Sequence, residues 1–343
     1  MNTSDSSHHN EYPVYPRVAV IVPCHNEAAS IAKVVQDFAG ALPKASIYVY
    51  DNNSTDDSAR LAAKAGAIVR SETLQGKGNV VRRMFADVDT DIYVLVDGDD
   101  TYDAHSARRM IAMLEEQCLD MVSAVRTAVS DAAYRPGHRF GNYMLTKMVA
   151  LVFSDRFRDL LSGYRVFSRR FVKSFPALTS GFEIETELTV HALELRMPVA
   201  EVETPYRERP SGSASKLNTY RDGLRIFKTI ALLAKEERPL QFFGIFFTLF
   251  AACSLVLAWP LLLTYLGTGL VPRLPTAVLA TGLMLLAFLS LTCGVILDTV
   301  TRGRQEMKRM RYLAIPRHRV ANAGRDSAEQ DAGPSASLAG GHY

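Results

Sequence analysis

The sequence predicts an α/β domain with a mainly parallel sheet flanked by helices, then an interfacial amphipathic helix and a two-helix transmembrane hairpin. Three observations predict it. Strand-like and helix-like runs alternate between residues 17 and 206, polar clusters sit where the strand-like runs end, and two long uncharged runs follow. The 343 residues are 48% hydrophobic and 22% charged, which excludes disordered and collagen-like classes. The net charge of +3 gives no support to a nucleic-acid binder. Cys24, Cys118, Cys253 and Cys293 form no CxxC pair, which argues for a reducing compartment.

The elements follow in order. Residues 1–16 are polar, lack an apolar signal-peptide core, and read as a flexible N-terminus. Arg17 to Val22 is a continuous apolar run stopping at Pro23, as expected of a strand buried on both faces. A helix is expected from about Ala28 to Ala39, a strand from Ile47 to Tyr50, and a helix from Ser58 to Ala65 capped by Ser54 or Asp56. Ala67 to Arg70, Asp91 to Val96 and Met121 to Val125 read as further strands. Asn79 to Phe85 and His105 to Gln117 read as helices. The segment after Arg126 is less regular and is expected to carry the acceptor side of any active site.

Phe242 to Leu266 is 25 residues without a charge, and Thr276 to Leu297 is 22 more. Each exceeds the ~20 residues that span a bilayer core. Lys228, Lys235 and Arg238 precede the first run. Arg302, Arg304, Lys308, Arg309 and Arg311 follow the second, while the loop between carries only Arg273. The positive-inside rule therefore puts the α/β domain and both termini in the cytoplasm, in a multi-pass protein expected in the inner membrane. Residues 218–238 form an amphipathic stretch, its basic face suited to anionic headgroups, with a domain helix packing on its own core as the alternative and compatible reading. The expected division is a domain over 17–217, that helix, a hairpin over 239–300, and a basic segment with a disordered tail over 301–343.

Three polar clusters fall at strand ends: Pro23-Cys-His-Asn-Glu27, Asp51-Asn-Asn-Ser-Thr-Asp56 and Asp97-Gly-Asp-Asp100. Open α/β sheets bind ligands there, so the clusters are expected to converge on one crevice. Asp97 and Asp99, turned about Gly98, supply the oxygen ligands that a hard cation shares with phosphate. Asp100 or Asp103 would cap the helix near His105. Gln75-Gly-Lys-Gly78 lacks Walker spacing, yet Lys77 at a helix N-terminus suits a phosphate. An ordinary loop is the alternative reading for its glycines.

Together with Gly76-Lys-Gly78, these clusters resemble the motif series of glycosyltransferase family 2, which has the Rossmann-like GT-A fold. Ser162-Gly-Tyr-Arg165 and Arg209 through Ser215-Lys-Leu217 resemble the dolichyl-phosphate mannose synthase-like branch, which includes bacterial polyprenyl-phosphate glycosyltransferases. The resemblance implies a hexosyltransferase moving sugar from a nucleotide-diphosphate sugar to a polyprenyl phosphate, undecaprenyl or dolichyl, for envelope glycan assembly. It implies that Pro23, His25, Glu27 and Asp51 hold the base and ribose, with Asp56, Lys77 and Gly98 on the same donor side. Asp97 and Asp99 would bind Mg²⁺ or Mn²⁺. Arg126 and Arg139 would face the acceptor phosphate, and Arg209, Ser215 and Lys216 would close over the phosphates. His25 stands where the family often has an aromatic, and Thr101 where it often has Gln. Longer spacing before Lys216 leaves Arg207 as an alternative to Arg209. Homo-oligomers occur among similar proteins.

A lipid phosphate is already ionised near neutral pH and needs no dedicated base. The difficult step is departure of the nucleoside diphosphate, which a cation and nearby arginines stabilise. Single displacement inverts the anomeric centre. A processive polysaccharide synthase is the main alternative, but Trp259 lies inside a span, so no QxxRW motif exists. A non-catalytic nucleotide-sugar-binding scaffold is the other.

Overall fold

The computed structural model describes residues 16–128, 157–181, 183–208 and 238–316, with positions 228, 231, 232, 235 and 236. Among them seven strands form one sheet: β1 Val18–Cys24, β2 Ser46–Asp51, β3 Ile68–Ser71, β4 Ile92–Leu95, β5 Met121–Ala128, β6 Arg165–Ser168 and β7 Val199–Tyr206. Their order is β3-β2-β1-β4-β6-β5-β7. The β3-β2-β1-β4 half is parallel, and so is the β5–β7 pair. Between them β6 runs antiparallel to both β4 and β5, so the expected mainly parallel sheet is mixed at one strand.

Among the described residues six helices flank the sheet: α1 Ile31–Ala41, α2 Ser58–Lys64, α3 Lys77–Asp87, α4 Ser106–Glu116, α5 Arg169–Ser174 and α6 Ile184–Glu194. Strand β1 is buried on both faces, which explains its unbroken apolar run. Val20, Val22 and Cys24 join the core formed by α1 and α4, including Val34, Phe38, Met110 and Leu114. Ala19 and Ile21 join the opposite core with Met84, Phe85, Phe171 and Leu188. Each buried Val, Ile, Leu, Phe or Met side chain among them contributes roughly 1.5–3 kcal/mol of hydrophobic stabilisation.

Two expected boundaries move. Strand β1 continues through Pro23 to Cys24 rather than stopping. Pro23 shares the side of Ile21, whose carbonyl accepts from Val96, and the β1–β4 ladder ends at that residue. The missing proline N–H therefore breaks no rung. Helix α1 begins at Ile31, because the Glu27 carbonyl first closes a turn with Ser30 and Ile31. Of the expected caps for α4, Asp103 fills the role. Its Oδ2 accepts from the N–H and hydroxyl of Ser106, each at 2.9 Å. Asp100 instead pairs with Lys33 at 2.7 Å.

The hairpin consists of α7 Pro239–Thr268 and α8 Leu274–Leu313, both long and apolar enough to cross a membrane. Gly269 ends α7 in the left-handed region, its N–H bonding Tyr265 O at 2.8 Å. The buried residues of α8 are Ala280, Ala287, Gly294 and Thr301, spaced by seven. Small residues at that spacing form a seam that lets two helices approach closely. At Gly294 an added Cβ would stand 3.1 Å from Phe243. Ser254 Oγ crosses the seam to Ala280 O at 2.7 Å. The expected amphipathic stretch falls mostly outside the described residues.

The basic juxtamembrane segment expected from residue 301, after the hairpin, belongs to α8 up to Leu313. At 1.5 Å per residue this 40-residue helix is about 60 Å long, well beyond a ~30 Å hydrocarbon core. Its end docks on the α/β domain. Tyr312 Oη donates to Asp120 Oδ2 at 2.5 Å, Lys308 pairs with Glu194 at 2.7 Å, and the Arg170 guanidinium lies over the Tyr312 ring. The end of α8 and the α/β domain therefore share one side of any bilayer the hairpin crosses.

Asp120 is fully buried and also takes Ser168 Oγ at 2.7 Å and a two-point contact from Arg170. Removing Arg170 leaves a buried charge held only by neutral donors. Arg170→Met is expected to cost about 3 kcal/mol, measured by denaturation of the detergent-solubilised full chain. Asp120→Asn in the same chain is expected to recover most of that loss.

Candidate active site

Strands β1, β2 and β4 are parallel neighbours, so their C-terminal ends share one edge of the sheet. The three polar clusters meet there and are stitched together. Asn52 N–H donates to Cys24 O at 2.8 Å, and the His25 Nδ1–H donates to Asn52 O at 2.8 Å. Asn26 N–H reaches Ser54 Oγ, Glu27 N–H reaches Ser58 Oγ and Ala28 N–H reaches Asp56 Oδ2. Ser30 Oγ donates to Gly98 O at 2.7 Å, tying the first cluster to the third. Asn26 and Asn53 turn the chain at φ values of 51° and 58°, where asparagine is tolerated.

The described residues of the expected donor side are thereby positioned. Asp51 Oδ2 accepts from Ser54 N–H at 3.2 Å, while its buried Oδ1 has no hydrogen-bond partner in the structure. An unsatisfied buried carboxylate oxygen beside a crevice is suited to accept from a ligand hydroxyl or N–H. Asp56 has both oxygens engaged by Ser58 and by the Ala28 N–H, so it braces two loops. Burial opposes its ionisation, but those hydrogen bonds prevail and hold its pKa below the ordinary value. Pro23 and buried Glu27 line the β1 end.

Asn52 is a residue that sequence reasoning passed over as one member of a polar cluster. Its Nδ2 donates to Glu72 O and Leu74 O, each at 2.8 Å, and its Oδ1 accepts from Gly76 N–H at 2.7 Å. One buried amide thus fastens the β3–α3 loop to β2. The glycines of that loop are required by packing. A Cβ on Gly76 or Gly78 would overlap the carbonyls of Ser180 and Thr179, and Gly78 N–H donates to Ser180 O at 3.0 Å.

Asp97 and Asp99 follow β4. Asp99 is buried, and its Oδ1 accepts from Thr101 Oγ1 at 2.6 Å. The Asp97 side chain is 27% exposed, and its Oδ1 pairs with Lys77 Nζ at 2.5 Å. A Cβ on Gly163 would overlap the Asp97 carboxylate. Within Ser162-Gly-Tyr-Arg165, fully buried Arg165 bonds the carbonyls of Ser162 and Leu160 and Thr189 Oγ1. The motif therefore presses a side-chain-free backbone against Asp97. Lys77 also contacts buried Glu185 Oε1 at 2.5 Å, a partner that sequence reasoning missed because it lies 108 positions away. Burial pulls the Lys77 ammonium toward neutrality, yet the two carboxylates outweigh it and raise its pKa.

On the other side of the crevice Arg126 forms a two-point pair with Asp159, at 2.7 and 2.8 Å, and lies over the Tyr206 ring. Burial lowers its pKa, but the Asp159 carboxylate more than reverses this. Arg207 N–H donates to Thr101 O at 2.8 Å, bringing the end of β7 beside the Asp97–Asp99 turn. Arg139, Arg209, Ser215 and Lys216 lie outside the described residues.

Among the described residues no three or more His, Cys, Asp or Glu side chains form an all-protein metal cage. The donor set of Asp97 and Asp99 fits a hard divalent cation that completes its shell with phosphate oxygens and water.

The family model for glycosyl transferase family 2 matches residues 19–175. The glycosyltransferase AglJ of Haloferax volcanii is 32% identical over 307 residues, spanning 88% of this chain and 99% of that protein. The chain belongs to glycosyltransferase family 2. A dolichyl-phosphate hexose transferase of the same organism is 26% identical over 221 residues, 64% of this glycosyltransferase and 95% of that protein. Glucosyl-3-phosphoglycerate synthase of Mycobacterium tuberculosis, solved with Mn²⁺, UDP and glucosyl-3-phosphoglycerate, superimposes with a TM-score of 0.53 at 22% identity. The match covers 64% of this chain and 80% of that one. That likeness establishes the GT-A fold of the catalytic domain.

The Gly163 contact yields a direct test. Gly163→Ala is expected to displace the Asp97 carboxylate and cut sugar transfer on the order of a hundredfold, the scale for a misplacement of about 1 Å. Circular dichroism should remain that of the wild type. Unchanged turnover would remove Gly163 from the site.

Proposed function

We propose that this glycosyltransferase moves a sugar from a nucleoside-diphosphate sugar to a polyprenyl phosphate at the cytoplasmic face of a membrane. The observation that carries this reading is the docking of α8. The domain bearing the crevice is clamped, through Tyr312 and Lys308, to the continuation of a helix apolar enough to cross a bilayer. A catalytic crevice held at that distance from lipid suits an acceptor whose phosphate lies at the headgroups. The basic residues after Leu297 favour a cytoplasmic location by the positive-inside rule. The similarity to a dolichyl-phosphate hexose transferase points the same way.

In this reading the β1 and β2 clusters hold the nucleoside: Pro23, His25 and Glu27 on one wall, Asp51 through its unpartnered Oδ1 on the other. Asp97 and Asp99 hold a divalent cation, Mg²⁺ or Mn²⁺, which when bound offsets the charge of the departing diphosphate. Asp56 and Asn52 keep the donor loops in register, and Ser30 fixes the Gly98 carbonyl. The acceptor phosphate, already anionic, needs cations rather than a base. Arg139 supplies one. Arg126 supplies another in competition with Asp159, which at present holds its fork. Arg209, Ser215 and Lys216 close over the phosphates. Attack on the anomeric carbon from the acceptor side inverts it.

The test uses the full chain in detergent or native membranes, with radiolabelled nucleotide sugars and undecaprenyl phosphate. Label should become chloroform-extractable, vanish in EDTA and return with Mn²⁺ or Mg²⁺. Asp99→Asn, nearly isosteric, is expected to lower transfer at least on the order of a hundredfold. Label appearing only in a water-soluble product or a growing polymer would overturn the acceptor assignment.

A further inference from the structure

Lys77 stands between two carboxylates in different surroundings. Its Nζ is 2.5 Å from Asp97 Oδ1 and 2.5 Å from Glu185 Oε1. The Lys77 and Glu185 side chains are 10% and 5% exposed, whereas that of Asp97 is 27% exposed. The second oxygen of Glu185 is buried and has no hydrogen-bond partner in the structure. Glu185 thus has unused capacity for the ammonium, while Asp97 is the carboxylate a ligand can reach. Gly163 leaves no room for a side chain beside the Asp97 carboxylate, and Gly78, next to Lys77 in the chain, packs against the backbone of Thr179 and Ser180.

We propose that Lys77 is a resident counter-charge for Asp97 and that Glu185 is the positioning residue that receives it when a divalent cation binds. The inference rests on the reading of Asp97 as a cation ligand. A metal ion arriving at Asp97 competes with the ammonium for the same carboxylate and repels it at short range. Lys77 is anchored at the first turn of α3 and enclosed, so it cannot withdraw into solvent. Glu185 is the adjacent acceptor with an oxygen to spare. Its negative charge lets the ammonium leave Asp97 without becoming an isolated buried cation. Without a cation, Lys77 keeps Asp97 and Glu185 from facing each other as unscreened like charges.

The experiment is a Mn²⁺ titration of the full chain in detergent, read by electron paramagnetic resonance of free Mn²⁺, with and without UDP. Glu185→Gln deprives the ammonium of its second anionic partner, so Lys77 stays on Asp97. The apparent Mn²⁺ affinity should weaken about tenfold, the scale of outer-shell effects on metal affinity. Glu185→Asp, which keeps the charge, should stay within about threefold of wild type on that scale. Lys77→Met removes the competitor, so Mn²⁺ without UDP should bind more tightly, and Mn²⁺ should raise the Tm more than in wild type. The pair Lys77→Met with Glu185→Gln should lose the defect of Glu185→Gln alone. Unchanged Mn²⁺ affinity in Glu185→Gln would overturn the hand-off. If that variant does not fold, weaker or unchanged Mn²⁺ binding by Lys77→Met overturns it. Loss of UDP affinity in Lys77→Met with Mn²⁺ binding unaltered would instead make Lys77 a donor-phosphate ligand. Asp97→Asn separates the underlying reading: wild-type Mn²⁺ binding there means that Asp97 is no ligand.

Discussion

The Asp97 carboxylate occupies a position that tolerates neither a side chain on one flank nor an unbalanced charge on the other. Gly163 supplies the first condition, and the Lys77–Glu185 pair supplies the second. Much of the surrounding architecture serves those two contacts. Buried Arg165 holds the loop that presents Gly163. Asn52 holds the loop that starts α3 and so delivers Lys77. Buried carboxylates are costly unless compensated, and here compensation comes from segments more than sixty residues away on one side and about twenty on the other.

A second coupling joins this domain to the hairpin. Asp120 lies just before β5 and is shared by Arg170 and Ser168 of the domain and Tyr312 of α8. Because the carboxylate is fully buried, the Tyr312 hydroxyl of α8 is one of the donors that satisfy it inside the domain rather than a surface contact, which would contribute little. The seam of small residues from Ala280 to Thr301 makes α7 and α8 one unit. The crevice, the domain and the hairpin are therefore mechanically continuous.

Much of the fold was legible in residue order. The apolar run before Pro23, the acidic turns after the second and fourth strands and the two uncharged runs each identify an element by local pattern. The convergence of the three clusters was also legible, because parallel βα units place strand ends on one edge. Less legible were β6, α5, α6 and β7. The reversal at β6 follows from how the chain returns between β4 and β5, and no local periodicity encodes it. The end of β1 was misread because proline's missing N–H matters only when a neighbouring strand needs it, and β4 has already ended there.

By itself the sequence determined the chemistry available at each strand end, the family and the presence of two membrane-length helices, since these depend on residue type and spacing. Tertiary structure alone decided which charges meet. Lys77 reads as a phosphate ligand on its helix, but packing turns it onto Asp97 and Glu185. Arg126 reads as a residue facing the acceptor phosphate, but Asp159 already grips it. The basic segment after the hairpin reads as a juxtamembrane stretch, but it continues the second helix and meets a buried aspartate and a glutamate on the domain. Coulombic pairing depends on distance in space and on burial, and neither quantity is written along the chain.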